Sequence, residues 1–481
     1  MKKFDVLIIG SGAVGAFVAR NLSKYQLDVA LLDKENDVGN MTSMANSAIV
    51  HSGYDPVPGT NKAKFNVLGN KMFDKIADEL DVEFERIGSL TVAIYENQLP
   101  MLEELAKRSE QNGVEVKLLN AEEVKKLEPN INPEVKGALL APTAGIINPF
   151  NLVVHAVENA VDNGVNLFLN EEVVSIETKE NGYVVRTRKG NEYEAKVVVN
   201  AAGLYSDKIA ELVEPVDWKI TPRKGQYYVL DHYKLGLVNH VIFPLPSEKG
   251  KGILVSRTTS DDYIVGPSSE PVEDPSDLST DSMTLANVKN QAKDMVPGIP
   301  FNQAIRAFSG NRATCTRHDF VIESAPHHET FINLGGIESP GLVSSPAIGE
   351  YVVESMIRNM LPLKEKANYN PRVRPYYHLK KMKLEERNQL IKENRDFGEM
   401  VCFCEQVSLG EVKDVLSRSV PPRSVKAMKK RVRAGFGKCQ GGFCQPRILE
   451  ELAKHYGLDW TEVNYDEENT NILKENVKEL K

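Results

Sequence analysis

Residues 4–15 read Phe-Asp-Val-Leu-Ile-Ile-Gly-Ser-Gly-Ala-Val-Gly, an apolar run that leads into glycines at positions 10, 12 and 15. The run predicts a buried strand, residues 16–26 predict an amphipathic helix, and residues 27–33 predict a second strand. In this order the first glycine permits a tight turn, the second lets backbone approach a pyrophosphate, and the third allows close helix–strand packing. The helix N-terminus then faces the phosphate charge. Asp33, which ends the second strand, is suited to accept hydrogen bonds from adenosine ribose hydroxyls. The stretch therefore predicts a dinucleotide site, and a glycine-rich turn with a capping aspartate is the alternative.

Composition and charge limit the class of protein. The 481 residues are 41% hydrophobic and 26% charged, which is typical of a globular chain with two or three domains. A formal charge of −8 gives no support for nucleic-acid binding. No run reaches the roughly 18 consecutive apolar residues of a membrane span, and the first apolar run is too short for a signal sequence. We therefore expect a cytoplasmic protein, for which peripheral membrane association stays open.

The chain alternates between two kinds of pattern. Helix- and strand-like segments suited to a parallel sheet fill the start, return at about 152–200, and return again near 330. Residues from about 217 to 310 instead carry alternating, aromatic-containing segments that are typical of an antiparallel sheet. This interleaving predicts a mixed α/β (α+β) chain, in which a Rossmann-like nucleotide-binding domain is intertwined with an antiparallel substrate domain. A small helical module follows at the C-terminus.

Three further segments resemble the D-amino-acid-oxidase (DAO) superfamily of FAD-dependent enzymes, a resemblance that spans about residues 1–370. They are Asn-Ser-Ala-Ile-Val-His-Ser-Gly at 46–53, Val-Val-Val-Asn-Ala-Ala-Gly at 197–203, and Gly-Gly-Ile-Glu-Ser-Pro-Gly-Leu-Val-Ser-Ser-Pro at 335–346. In the superfamily the first passes along the flavin and the second closes over the dinucleotide. The third leads into a helix whose positive end faces the flavin. Ala48 departs from the superfamily pattern, which usually has glycine there, so we expect a slightly different backbone beside the flavin.

The resemblance implies FAD as a cofactor and a division of the chain. A DAO-type unit of 1–375 would bind FAD through about 1–90, 145–215 and 320–370, and substrate through about 91–144 and 216–319. A charged linker (376–397), a module (398–455) and a polar tail (456–481) would follow. The residues implied to bind FAD are Gly10, Gly12, Ala13, Val14, Gly15, Asp33, Lys34, Thr42, Ser43, Asn46, Ser47, Val173, Ala201, Gly203, Gly336, Gly341, Leu342 and Val343.

Three residues are candidates for the chemistry. An alcohol or amine loses a hydride to flavin while a base takes the heteroatom proton, and His51 suits that base because imidazole titrates near neutral pH. The superfamily also places the histidine of this motif beside the flavin ring. Arg312 resembles the superfamily arginine that reaches an anionic substrate, and a guanidinium suits phosphate or carboxylate. Lys251 resembles a lysine that the glycerol-3-phosphate branch uses as a point charge, and a solvated turn lysine is the alternative.

Three residues near these candidates have other expected roles. Arg257 and Arg317 could add positive field, although arginines are common on surfaces. Cys315 is expected to be a small buried hydrophobe rather than a nucleophile.

The last fifth of the chain contains a cysteine set made of Cys402, Cys404, Cys439 and Cys444. Four soft thiolates suit an iron–sulfur cluster or zinc, and the spacing alone leaves both open. Glycines at 435, 437, 441 and 442 favour a cluster, because exposed backbone N–H groups can donate to its sulfurs.

Residues 398–455 resemble the bacterioferritin-associated-ferredoxin-like (BFD-like) [2Fe-2S] domain through Cys-Phe-Cys at 402–404 and Arg-Ala-Gly-Phe-Gly-Lys-Cys-Gln-Gly-Gly-Phe-Cys at 433–444. The resemblance implies a [2Fe-2S] cluster with the four cysteines as ligands. Between the cysteine pairs, a capping box at 408–411 predicts a helix start, and 424–435 predict a basic helix that ends at glycine. Seven basic residues between 423 and 438 could offset the cluster charge, dock an acidic redox partner or form a solvated helix face.

A flavin that takes hydride and a cluster that passes single electrons predict a dehydrogenase with a separate acceptor or a partner subunit. The preferred substrate is the small anion sn-glycerol 3-phosphate, because Lys251 and Arg312 both match that branch. A 2-hydroxy acid such as 2-hydroxyglutarate, or an amino acid such as proline or glycine, is the alternative. A non-catalytic electron-transfer subunit is the alternative from another class.

Overall fold

A computed structural model describes residues 2–232, 236–246 and 252–475. Its strands in the first half are β1 (Lys2–Ile9), β2 (Val29–Leu32), β3 (Ile49–Val50), β4 (Phe84–Glu85), β5 (Ser89–Ala93), β6 (Lys117–Asn120), β7 (Gly137–Ala141), β8 (Gly145–Ile147), β9 (Asn166–Phe168), β10 (Val173–Lys179), β11 (Gly182–Thr187) and β12 (Glu192–Asn200). The later strands are β13 (Ile220–Leu230), β14 (Val241–Pro244), β15 (Leu254–Arg257), β16 (Tyr263–Gly266), β17 (Glu270–Pro271), β18 (Ala304–Cys315), β19 (Val321–Ala325), β20 (His328–Gly335), β21 (Met400–Cys402) and β22 (Val407–Ser408).

The helices follow the same interleaving. They are α1 (Ala13–Leu22), α2 (Asn61–Glu79), α3 (Leu99–Gln111), α4 (Ala121–Leu127), α5 (Pro149–Asp162), α6 (Ser206–Glu211), α7 (Ser282–Met295), α8 (Gly341–Tyr351), α9 (Leu384–Glu393), α10 (Leu409–Leu416), α11 (Val425–Val432) and α12 (Gln445–Tyr456).

The first sheet brings together strands from three distant parts of the chain. Strands β9, β2, β1, β12 and β20 lie side by side and parallel, and β10–β11 and β19 add antiparallel edges. Helices α1, α5 and α8 contribute to the largest buried apolar cluster, which also includes β1 and β2. Parallel neighbours must be joined by crossover connections. This sheet therefore explains why segments suited to a parallel sheet occur in three separate parts of the chain.

The second sheet is the antiparallel unit. Its order is β17-β13-β16-β15-β14-β5-β7-β6, with β18 along the other side of β13, and only the β14–β5 pair among the described strands is parallel. Strands β5 to β7 come from before α5 and the remaining strands from after β12, so the chain crosses between the two sheets. The predicted mixed α/β architecture with intertwined domains is confirmed.

Two helices differ from the sequence prediction. Helix α7 lies inside the stretch expected to be all strand, where the Asp281 carboxylate accepts the Thr284 N–H at 2.8 Å and so caps the helix. Helix α8 begins at Gly341, although the pattern suggested a start at 347, after Pro346. Proline has no N–H for the Leu342 carbonyl one turn earlier. The Ser345 hydroxyl donates to that carbonyl at 2.8 Å instead, so the helix tolerates the proline.

The C-terminal module is a short β21–β22 hairpin with α10, α11 and α12 around one apolar cluster. Ser408 and Glu411 form the predicted capping box. Helix α11 does not end at a glycine: Arg433 itself takes the left-handed conformation at φ 63°. The stretch expected as a linker contains α9, and the stretch expected as a polar tail buries Val463 in the module's cluster. No helix within the described ranges is long and apolar enough to cross a membrane.

Candidate functional site

The turn between β1 and α1 has space only for glycine at two positions. Gly10 has φ +103°, and a Cβ there would lie 2.5 Å from the Ala201 carbonyl oxygen. A Cβ on Gly15 would lie 1.9 Å from the Gly10 oxygen. Both distances are far below van der Waals contact, so the close packing predicted for this turn requires glycine. Ala13, Val14 and Gly15 form the first turn of α1.

Donors at the start of α1 point at an oxygen. The Ala13 N–H donates to the Ser43 hydroxyl at 2.9 Å, and a Cβ on Gly12 would lie 3.2 Å from the same oxygen. Thr42 is fixed alongside because its hydroxyl donates to the Asn311 carbonyl at 2.7 Å. A helix-start N–H group that already donates to an oxygen fits a pyrophosphate oxygen.

Asp33 lies at the carboxyl end of β2, as the sequence indicated. Its carboxylate accepts the Ser11 N–H and hydroxyl, both at 2.6 Å, and the Glu35 N–H at 2.9 Å. Lys34 extends over the Tyr205 ring, with its nitrogen 4.1 Å from the centroid. The Glu171 N–H donates to the Asp33 carbonyl at 2.8 Å, which brings the start of β10 at Val173 close to this end of the site.

The segment expected along the flavin is a compact turn. The Asn46 side chain accepts the Ala48 N–H and donates to the Ser43 carbonyl, both at 2.8 Å. Ala48 has φ 57°, the left-handed region in which a residue with a Cβ is strained by about 1–2 kcal/mol. Alanine therefore adopts a conformation here that favours glycine, and the backbone difference expected at Ala48 stays a prediction.

His51 follows this turn and is fixed through its backbone. The Asn66 and Asn70 amides both donate to its carbonyl, at 2.7 and 3.0 Å. Its ring lies 5.8 Å from the Phe243 ring, and its Nε2 lies 3.5 Å from the Ser339 hydroxyl. Ser339 belongs to the loop that contains Gly336 and leads into Gly341, Leu342 and Val343 of α8. The structure therefore brings the first and third superfamily-like segments together around His51.

One face of the β13–β18 pair lies against the same turn. A Cβ on Gly310 would be 2.1 Å from the Ala45 oxygen, and the Tyr227 hydroxyl is 3.4 Å from the Ser47 hydroxyl. Tyr227 also stacks on Phe308 with a centroid distance of 4.6 Å. Side chains at alternate positions share a face, so Arg312, two residues after Gly310, shares the face that contacts the turn.

Arg312 has a second arginine beside it. Arg223 lies directly opposite Arg312 in the strand register. Arg312 donates to the Ser268 carbonyl at 3.0 Å, and Arg223 has a buried Nε without a hydrogen-bond partner. Among the described residues, no carboxylate lies within ion-pair distance of either guanidinium. Like charges directly opposite each other in a sheet are unfavourable, so the pair forms a ready site for an anion.

The other two arginines considered for this site are already neutralised. Arg257 pairs with Glu85, and Arg317 pairs with Asp217 and Glu323. They therefore do not supply the extra positive field considered for them. Lys251 lies outside the described residues. Cys315 is buried, and a Cβ on Gly336 would lie 2.4 Å from its Cβ, as fits a small core residue.

The four C-terminal cysteines form two close pairs that differ from the sequence pairs. The Cys404 thiol lies 3.7 Å from the Cys439 sulfur, and the Cys402 and Cys444 side chains are hydrogen-bonded. That hydrogen bond, with backbone N–H donors from Glu405 and Gly435, lowers the pKa of Cys402 to about 6. Backbone N–H groups of Gly441 and Phe443 lower the pKa of Cys439 against the opposing effect of burial.

Three of the four glycines around the cysteines act as the sequence suggested. Gly435, Gly441 and Gly442 donate backbone N–H groups to sulfur, while a Cβ on Gly437 would lie 2.4 Å from the Cys404 Cβ. Thiolates that receive several backbone donors fit an iron–sulfur cluster.

Two family models account for most of the chain. A model of FAD dependent oxidoreductases (DAO) matches residues 5–355, and a model of the BFD-like [2Fe-2S] binding domain matches residues 400–454. The chain belongs to the FAD dependent oxidoreductase family. Its cofactors are FAD and, in the C-terminal module, a [2Fe-2S] cluster. The choice between cluster and zinc that the spacing left open is thereby settled.

Several relatives of this FAD-dependent oxidoreductase have names that refer to glycerol 3-phosphate or glycerophosphate. It is 46% identical over 471 residues to a glycerol 3-phosphate dehydrogenase of Caloramator mitchellensis, with 98% of each chain covered. It is 35% identical over 380 residues to a glycerol 3-phosphate oxidase of Mycoplasma genitalium, which covers 77% of this chain and 98% of that one. The dithionite-reduced L-alpha-glycerophosphate oxidase of Mycoplasma pneumoniae, solved with FAD bound, superposes with a TM-score of 0.75. That structure is 32% identical and covers 78% of this chain and 100% of its own.

Buried ion pairs attach the iron–sulfur module to the rest of the oxidoreductase. Arg431 donates to both oxygens of Asp37 at 2.9 and 2.8 Å, and the Lys430 nitrogen lies 2.6 Å from Asp37. Arg433 pairs with Asp262 of the antiparallel sheet and with Glu405. Lys430, Arg431 and Arg433 therefore neither form a solvated face nor remain free for an external partner, because they bind acids of the same chain.

Sequence reasoning missed Arg223, Tyr227 and Asp37. Arg223 can be recognised as a site residue only from its register opposite Arg312, and Tyr227 only from its contact with the turn at Ser47. A strand pattern does not reveal register between segments about 90 residues apart, so the sequence held no usable signal for either.

Proposed function

We propose that this enzyme oxidises sn-glycerol 3-phosphate to dihydroxyacetone phosphate and passes the electrons through its [2Fe-2S] module to a separate acceptor. The observation that carries this proposal is the Arg223–Arg312 pair, two guanidiniums without a carboxylate partner among the described residues, beside the turn that leads to His51. The names of the full-length relative and of the two oxidases agree with this substrate.

The charge of the site suits a phosphate. A phosphate monoester carries close to two negative charges at neutral pH, and two adjacent guanidiniums can match it with several N–H donors. A single carboxylate, as in proline or glycine, would leave one of the two cations without a counter-charge. The paired arginines therefore favour a phosphate over a monocarboxylate.

Oxidation at C2 of the substrate requires a hydride acceptor and a base. FAD, when bound, supplies the hydride acceptor. His51 is the base of the proposal and takes the hydroxyl proton at Nε2, the atom that faces the Ser339 hydroxyl. The two amide donors on its carbonyl fix its backbone, so the ring keeps its position while its nitrogen gains and loses a proton. The arginine pair orients the substrate by its phosphate.

The C-terminal module favours a dehydrogenase over an oxidase. An oxidase can discharge its flavin to oxygen and needs no one-electron centre. Thiolates with backbone donors, on a module fixed to the flavin domain by buried ion pairs, suit the export of single electrons.

The test is the visible spectrum of the purified holoenzyme under anaerobic conditions. We expect glycerol 3-phosphate to bleach the flavin band and 2-hydroxyglutarate, proline and glycine to leave it unchanged. Turnover with an artificial dye should show the same selectivity, with little oxygen consumed when the dye is absent. Bleaching by 2-hydroxyglutarate or proline but not by glycerol 3-phosphate would refute the proposal.

A further inference from the structure

Two phenylalanine rings beside the cysteines are left in solvent. Phe403 is 77% exposed and Phe443 is 81% exposed, and each is adjacent in sequence to a cysteine of the set. Large aromatic side chains are usually buried, and neighbouring exposed ones mark interaction sites more often than chance. Neither ring contributes to an apolar cluster of the described chain, so packing within the protein does not explain their position.

The rings flank the exposed half of the cysteine set. Cys402 and Cys444 are buried, whereas Cys404 is exposed and Cys439 is partly exposed. Phe403 precedes Cys404, and Phe443 lies in the loop that begins at Cys439. The Cys404–Cys439 sulfur distance of 3.7 Å brings these two loops side by side. Both exposed rings thus lie on the two loops that carry the exposed cysteines.

The exposed side chains of the two loops determine the charge of the surface around the rings. Their one carboxylate, Glu405, is buried and accepts from Arg433 at 3.0 Å. Lys438 is exposed, and no ion pair ties it to any acid of the described chain. The surface at Phe403, Phe443 and Lys438, which we call the cysteine face, is therefore apolar with a positive charge and no exposed acid on its loops.

We propose that the cysteine face is the docking surface for a small acidic one-electron carrier protein. This inference rests on the proposed function, which needs an outlet for single electrons. Aromatic residues are enriched at the centres of interfaces and often dominate their binding energy. Electron-transfer encounters bury little area, so two rings and a charge are an adequate footprint. The lysine complements an acidic carrier and speeds its encounter at low salt.

The reaction balances with two carriers. Each molecule of glycerol 3-phosphate loses two electrons and two protons as it becomes dihydroxyacetone phosphate. Two oxidised carrier molecules dock in turn, and each leaves with one electron. The two protons pass to solvent. No other oxidant is required.

The test compares a protein acceptor with a small one in the holoenzyme. Rubredoxin, a small acidic iron carrier, is the protein probe, and ferricyanide is the small probe. The variants are Phe403→Ser/Phe443→Ser and Lys438→Glu, and the matched control is Met283→Ser, because Met283 is 82% exposed on α7 and outside the cysteine loops. We expect the double variant to lower the second-order rate with rubredoxin at least tenfold and to leave ferricyanide reduction unchanged. Lys438→Glu should lower the rubredoxin rate several-fold at low salt, and the loss should shrink as salt rises.

Several outcomes would overturn the docking surface. Wild-type rubredoxin rates in both variants, or an equal loss in Met283→Ser, would remove the face from the reaction. An oligomer or a vesicle-bound form of the wild type that is lost in the double variant would assign the face to a second copy or to lipid instead. The variant Phe403→Leu/Phe443→Leu is the control for damage to the cluster. Because it keeps an apolar side chain at both positions, it should retain the rubredoxin rate and a native cluster spectrum. If glycerol 3-phosphate fails to reduce the wild type, the proposed function fails; the same variants are then reduced with dithionite, and transfer to rubredoxin still tests the face.

Discussion

Replacing Asp37 by alanine should release the iron–sulfur module from the flavin domain. Asp37 and Arg431 are 2% and 0% exposed in their side chains, and Lys430 is 3% exposed. Solvent therefore screens none of these charges, and removal of the carboxylate leaves two buried cations facing each other. Breaking a buried pair in this way costs about 3–5 kcal/mol. Because Asp37 neutralises two cations, we expect the upper end of that range, a large fraction of the ~5–15 kcal/mol that stabilises a typical domain.

The assay follows both halves of the chain in urea. Cluster absorbance and circular dichroism report the module, flavin fluorescence reports the nucleotide domain, and proteolysis reports exposure of the stretch 376–397. In Asp37→Ala the cluster signal should be lost at lower urea than in the wild type and before the flavin signal changes. Glu172→Ala is the matched control, because its pair with Arg188 is exposed and exposed pairs contribute little to stability. If Asp37→Ala costs no more than that control, the ion cluster does not hold the module and the reasoning is wrong.

Four further outcomes test the site and its surroundings. His51→Asn should slow flavin bleaching by glycerol 3-phosphate by about 10²–10⁴-fold in stopped flow, since a general base contributes about that much; an unchanged rate would support a non-catalytic relay. Arg223→Met should raise the KM for glycerol 3-phosphate at least tenfold and scarcely change the slow oxidation of uncharged glycerol, whereas Arg257→Met, whose partner lies elsewhere, should change neither greatly. Cys439→Ser should abolish cluster absorbance and leave flavin reduction by substrate intact; loss of both would make the module structural for the whole chain. Burial lowers the pKa of His155 to about 3 from 6.5, so the unfolded chain binds a proton below pH 6.5 that the folded chain does not. Stability should thus fall by about 2 kcal/mol between pH 7 and pH 5 on this account, and His155→Phe should flatten that slope in urea titrations.

The parts of the fold that the sequence predicted well have local causes. The β1–α1 turn could be predicted because its glycines lie in one short motif and Gly15 packs against the Gly10 oxygen of the same turn, although the atom that limits space at Gly10 belongs to the distant Ala201. The capping box at Ser408 and Glu411 is likewise closed within one helical turn. Helix α7 was missed because only three of its positions, Val288, Ala292 and Met295, are buried; they follow helical spacing, but the helix around them is polar.

The parts that could not be predicted depend on distant segments meeting. The basic stretch near Arg431 has three reasonable interpretations as a sequence, and for Lys430 and Arg431 the structure selects a fourth because Asp37, far back in the chain, lies against them. Arg223 is similar: a cation in a strand is ambiguous until pairing sets another cation opposite it. Function was nonetheless predictable to the level of a flavin and cluster enzyme, because cofactor sites are built from short motifs that tolerate little change.

The loop between β2 and the turn at Thr42 joins the two redox parts of the protein. At one end Asp33 binds the Ser11 backbone, and the Gly39 N–H returns to the Ser11 carbonyl at 3.1 Å. In its middle, Asp37 binds the basic helix of the module. A second anchor lies on α5, where Glu158 meets Arg418 of the module with both side chains almost fully buried. These buried ion pairs leave the module little freedom to swing. The flavin and cluster sites therefore keep one fixed arrangement, and in the proposed docking the carrier is the component that has to move.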